Sequence, residues 1–166
     1  MDELILYIKK FGNLTIEEEI FIQRLFKKLE ITSGQYFIES GKPCTKIAFV
    51  EKGVFRSLYY NKVGDDFTRY FIYEGRFIGD FQNFQIRAPS NDYIEAITDA
   101  SIWYIDYRDF EILKEQISLM KVVLSLQMEF ATWSLIDSIH SSLDPNQFLH
   151  KHPNPTVNQT NLILHR

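Results

Sequence analysis

The spacing of apolar residues changes twice along this chain. Up to residue 28 it is helical. Ile5, Leu6 and Ile8 give an apolar side to a short helix that Asp2 can cap and Gly12 can end in a left-handed turn. A second helix starts at Thr15, which forms a capping box with Glu18. Ile20, Phe21, Leu25 and Phe26 follow at helical spacing, with Lys27 and Lys28 near the negative end. From Leu29 the period becomes two. Residues 29–31, 36–38, 47–50, 54–60, 67–72, 92–97 and 101–105 read as short strands, separated by turn signals such as Ser33-Gly34, Lys52-Gly53 and Thr98-Asp99. This predicts a mainly β sandwich or barrel-like roll with flanking helices.

Helical spacing returns at Asp106, which is placed to cap a helix from Tyr107. After a break near residues 116–118, a long helix is predicted to about Ser142. It carries two apolar stripes: Leu119, Val123, Leu126, Phe130 and Trp133 form one, and Met120, Leu124, Met128, Ala131, Leu135 and Ile139 the other. A helix lying on one sheet needs a single stripe. The second predicts a twofold homodimer packed through Met120 to Ile139, since so much exposed apolar surface would be unusual on a monomer; burial within one chain is the alternative. The organisation expected is therefore N-terminal helices over 1–28, a β-roll over 29–106, a hinge and dimerisation helix over 107–143, and an irregular tail over 144–166.

The candidate chemistry lies between the fifth and sixth of these strands. Glu74-Gly75 is a turn signal, Gly79 allows close backbone approach, and Asp80 precedes a helical turn expected over 81–86. Free N–H groups at the start of that turn could receive an anion or a ribose. The same spacing also fits a plain crossover with a capped turn.

Composition narrows the functions that remain. The chain has 166 residues, 45% of them hydrophobic and 15% aromatic, enough for a buried core. A net charge of −4 argues against a nucleic-acid surface spread over the whole molecule. The single cysteine, Cys44, excludes an internal disulfide and a cysteine-cluster metal site, and no export signal or membrane-spanning run is present, so a cytoplasmic location is expected. His140, His150, His152 and His165 all follow the roll, leaving the strands without the ligands of a cupin-like enzyme. No nucleophile elbow or phosphate-cradling loop is found, and neither an enzyme nor a metal protein is expected.

In this order, Leu14 to Glu18, Ser33-Gly34, Glu39 to Gly41, Phe49 to Arg56, Glu74 to Asp80, Ile94 to Ala96 and Tyr107 to Phe110 resemble the Crp-Fnr family of bacterial transcription regulators. The likeness covers residues 10–143, the family's cyclic-nucleotide-binding domain and dimer helix. It implies a double-stranded β-helix jelly roll and a ligand site at Ile78, Gly79, Asp80, Phe81, Ser90 and Asn91. In the family, a Gly-Glu pair serves phosphate and ribose and an Arg-Ser pair neutralises the phosphate. Here these positions are Gly79-Asp80 and Ser90-Asn91, so the arginine is missing, and Arg69 and Arg87, the latter in an expected loop, are the candidate replacements. The family's base contacts from the long helix fall on Leu135 and Ile136, which offer no side-chain hydrogen bond. The implied function is a dimeric sensory domain with a degenerate pocket. Cyclic nucleotide or another small anion would bind weakly, and no resident cofactor is implied. DNA would be read only in a longer form, because the family pattern stops after Phe148 to Pro153 and the tail looks like a linker remnant. A stand-alone interaction module with no small ligand is the other reading.

Overall fold

The computed structural model describes residues 1–123 and 125–127. Eight strands form two antiparallel sheets. In chain order they are β1 (Lys27–Ile31), β2 (Tyr36–Ile38), β3 (Lys46–Lys52), β4 (Phe55–Tyr60), β5 (Asp66–Ile72), β6 (Phe77–Ile78), β7 (Tyr93–Ala96) and β8 (Ala100–Asp106). One sheet has the order β1-β8-β3-β6 and the other β2-β7-β4-β5. Buried side chains of both sheets belong to one core cluster: Ile47, Phe49, Ile102 and Ile105 from the first and Phe37, Phe55, Ile72 and Ile94 from the second. This is the jelly roll expected.

The helices explain why β3 does not alternate. In β3, Ile47, Ala48, Phe49 and Val50 are all buried. A strand reads as a continuous apolar run when both faces are covered. Here α1 (Asp2–Lys9) supplies cover, its Tyr7 ring lying 5.5 Å from those of Phe49 and Phe77. Next comes α2 (Ile16–Leu25), opened by the Thr15–Glu18 capping box in both directions, which contacts α4 (Tyr107–Gln116). Between β6 and β7 sits the short α3 (Phe81–Ile86), as the spacing predicts.

Several local expectations are corrected. Met1, not Asp2, occupies the N-cap of α1, and Asp2 lies in the first turn, where its charge suits the positive end. Gly12 is not left-handed; its position is set by packing, since an added Cβ would lie 3.0 Å from Leu119. Lys27 and Lys28 belong to β1 rather than to a helix end, so the roll begins at Lys27 instead of residue 29. Asp106 stands at the N-cap of α4 but makes no side-chain cap; its carboxylate takes the Lys27 ammonium at 2.8 Å instead. The short strand β6 was too brief for a period-two signal, and its pairing with β3 defines it.

The break before the last helix is where expected, with Ile117 extended. Residues 118–123 are helical, and there Met120 departs from its predicted role. It is only 1% exposed in a single chain and belongs to the roll's own core, so it is not available to a partner. The physical reason is the extended Ile117, which turns the new helix so that both Met120 and Val123 face inward. Leu124, Met128, Ala131, Leu135 and Ile139, and the whole 144–166 tail, lie outside the described residues.

Candidate ligand site

Gly75, at φ +74°, makes the turn into β6, and the chain then reaches Ile78 and Gly79. What Gly79 approaches is Ile47: a Cβ here would lie 2.7 Å from Ile47 Cγ2. The glycine is therefore required by the contact of β6 with β3, whatever occupies the roll. Ile78 and Phe81 are buried core residues, 1% and 5% exposed.

Asp80 is the hub of the segment. One carboxylate oxygen accepts from the Asn83 backbone N–H at 3.1 Å, capping α3. The other accepts from Asn83 Nδ2 at 2.7 Å, Ser90 Oγ at 2.8 Å and the Asn91 N–H at 3.4 Å. Ser90 in turn is 2% exposed and accepts from the Asp92 N–H at 3.2 Å. Asn91 is exposed and joins through its backbone. The two pairs singled out by resemblance, Gly79-Asp80 and Ser90-Asn91, are thus brought together, and they bond to each other. Beneath them the Cys44 thiol reaches the Asp80 carbonyl at 3.4 Å; burial, helped by the Asp80 charge, pushes its pKa up to about 11, which keeps it an unreactive thiol.

Arg69 enters from the opposite sheet through a bulge that alternation alone cannot show. Ser57 pairs with Tyr70 but Leu58 pairs with Thr68, leaving Arg69 as the extra residue of β5. Beyond the bulge the parity flips: Tyr70 and Ile72 turn toward the core, whereas Phe71 is on the exposed side. Arg69 Nε lies 3.1 Å from Asp92 Oδ1, and the guanidinium stacks 4.6 Å above the Tyr59 ring. Burial raises the Asp92 pKa against the pull of Arg69, and the nearby Asp80 charge adds to the rise. Burial also raises that of Tyr70, whose hydroxyl lies beside Ser57. Arg87, the second candidate for the missing charge, sits over the Tyr107 ring at 5.2 Å.

Asp92, Tyr70 and Ser57 were missed by sequence reasoning. By its spacing Asp92 is the first residue of a strand, whereas it precedes β7 and pairs with Arg69. A separate open groove of about 380 Å³, lined by Leu29, Glu30, Tyr36, Phe37 and Lys46 among others, shares no residue with this cluster.

A short capped helix thus links β6 of one sheet to β7 of the other. The model of the cyclic nucleotide-binding domain matches residues 28–116, more than half of the chain, and the protein belongs to that family. None of the curated protein sequences matches it at a significant level. Among solved structures it is similar to a cyclic nucleotide-binding domain from Methylobacillus flagellatus (14% identity, TM-score 0.71, covering 86% of this chain and 82% of that one). It is also similar to the catabolite activator protein of Thermus thermophilus (16%, TM-score 0.63, 75% and 60%). A third is the regulatory subunit of a cAMP-independent protein kinase A from Trypanosoma cruzi, bound to guanosine (17%, TM-score 0.59, 71% and 42%). The match thus spans 60% or less of the length of the last two. These likenesses establish a fold of the catabolite-activator type. Among the described residues no helix is long and apolar enough to cross a membrane.

Proposed function

We propose that this protein is the sensory domain of a Crp-Fnr-type transcription regulator, cytoplasmic and dimeric through its last helix, with a pocket that has lost high affinity for cyclic nucleotides. The observation that carries this is the fate of the charges at the site. At the position where the resemblance calls for an arginine, Ser90 is buried and donates to Asp80, and of the two replacement candidates Arg69 is paired with Asp92 and Arg87 lies over the Tyr107 ring. A buried phosphate without a free cation loses several kcal/mol to desolvation, on the order of what a micromolar ligand gains in total. A ligand that does bind would act by shifting the last helix between two packings of the dimer, and a DNA-binding module, in a longer form, would read that shift.

Titration calorimetry with cyclic AMP and cyclic GMP tests the reading. No saturable heat is expected at micromolar concentrations, and a micromolar or tighter constant overturns it. The Trypanosoma cruzi neighbour shows that the same fold can hold an uncharged occupant. A second reading, an interaction module without any small ligand, is favoured by Tyr70, whose side chain turns into the roll; it predicts no heat with any nucleotide or nucleoside.

A further inference from the structure

Strands β1 and β2 are each the outermost strand of their sheet, and the open groove of about 380 Å³ lies where the chain crosses from one to the other. Its size is at the lower end of the range for small-molecule sites. Part of the lining is apolar: Ile31 and Phe37 are buried and Leu29 is half-buried.

The charge in this groove is Lys46, the one cation of its lining. The Lys46 ammonium lies 5.1 Å from the Phe37 ring and 5.6 Å from the Tyr104 ring, and it has no hydrogen bond or ion pair among the described residues. The carboxylates that could neutralise it are engaged elsewhere. Asp106, its cross-strand neighbour on β8, takes Lys27 at 2.8 Å, Glu39 takes Lys42 at 2.7 Å, and Glu30 accepts from the Ser101 hydroxyl at 3.0 Å. An ammonium held by ring faces keeps its three N–H donors for a ligand. Gln35 adds a second donor. Its side-chain oxygen accepts from the Thr32 N–H at 2.9 Å, which fixes the orientation of the amide and leaves its NH2 without a partner among the described residues.

One ammonium and one amide match the two oxygens of a carboxylate. Glu30 and Glu39 in the same lining favour a ligand of single charge, because a dianion would add repulsion that Lys46 alone cannot offset. We propose that the groove between β1 and β2 receives a small monocarboxylate with an apolar body, an aromatic or medium-chain aliphatic acid, its carboxylate on Lys46 and Gln35 and its body against Leu29, Ile31 and Phe37. The site is separate from the Asp80 cluster and does not require the roll to bind a nucleotide. Tyr104 also lies 5.9 Å from Lys27, which ties β1 to Asp106 and Asp109, so the groove borders the junction of the roll with α4.

Amide nitrogen–proton correlation spectra of the full chain, titrated with benzoate and hexanoate and with benzyl alcohol, hexanol and inorganic phosphate, test this. At least one acid is expected to shift amides of residues 29–39 and 46 saturably while those of Gly79 and Asp80 stay in place. The matching alcohol, which cannot form the charge-assisted bond, is expected to bind about tenfold more weakly or worse, and phosphate, which has no apolar body, weaker still. Lys46→Met keeps the packing on the rings and is expected to abolish the preference for the acid; Lys46→Arg is expected to keep it, with both unfolding midpoints near that of the wild type. No saturable shift with either acid in the folded protein overturns the proposal, as do alcohols or phosphate binding the same amides as tightly as the acids, or an unchanged acid affinity in Lys46→Met. Shifts confined to residues 78–81 and 90–92 would put the acid in the Asp80 cluster and overturn its placement here. If Lys46→Met fails to fold, the comparison of acid with alcohol in the wild type decides.

Discussion

Gly79 and Asp80 stand where a ligand would be expected to explain them, and each also has a full structural explanation inside the chain. Gly79 is held by Ile47, so Gly79→Ala is expected to destabilise the fold by about 1–3 kcal/mol through overpacking. Ile47→Ala removes the offending methyl, and in a double-mutant cycle by urea unfolding it should recover part of that loss; strict additivity would show that the two do not touch. Asp80 both caps α3 and holds Ser90. Asp80→Ala is expected to cost about 1–3 kcal/mol, because it uncaps the helix and removes the shorter of the two acceptors of the buried Ser90 hydroxyl, leaving the Asp92 carbonyl at 3.0 Å. Asp80→Asn should cost less, since the amide oxygen can still accept. Equal losses for the two would remove the carboxylate from the centre of this network.

The elements are clamped together by a second carboxylate far from the site in sequence. Glu51 on β3 accepts from the Met1 ammonium at 2.7 Å and from Trp103 Nε1 of β8 at 2.8 Å, pairs with Lys28 of β1 at 3.0 Å, and takes the Ser101 hydroxyl at 3.2 Å. Burial alone would raise its pKa. The hydrogen bonds from Met1, Trp103 and Lys28 outweigh that and hold it at about 2, well below the ordinary 4.5. A carboxylate whose pKa is lowered by folding stabilises the native state fully above its unfolded value and progressively less as pH falls through the folded one. Stability from this clamp is therefore expected to be complete above about pH 4.5 and to be lost toward pH 2. Glu51→Gln should flatten that part of the urea-midpoint profile and cost on the order of 1–2 kcal/mol at neutral pH. A profile of unchanged slope would show that other carboxylates dominate acid unfolding.

For the whole molecule, association is the property that separates a sensor from a passive roll. The proposed dimer seam runs along the last helix, and its first expected member, Met120, is already committed to the roll's core. Met120→Ala is therefore expected to lower stability by about 2–5 kcal/mol without changing the sedimentation coefficient of the folded protein. Met128→Asp and Leu135→Asp are expected to convert the dimer to monomer while leaving the unfolding midpoint of the roll near that of the wild type. A wild-type protein that sediments as a monomer at high concentration removes the dimer assignment.

Much of this was written in local patterns. The capping box at Thr15 and Glu18, the turns at Gly34, Gly53 and Gly75, the period-two strands and the short helix after Asp80 depend on neighbours within a few residues, so the sequence by itself determined the elements, and their order determined the roll. The partners of Gly79, Asp80, Arg69 and Glu51 were decided only by tertiary structure. A bulge opposite Ser57 turns Arg69 toward Asp92, and one extended residue, Ile117, sends Met120 inward, because a single shift of register or direction changes which face every later side chain occupies. Periodicity carries the elements, whereas the matching of charges and the contact of glycine with isoleucine are properties of chain segments that meet only once the sheets have closed.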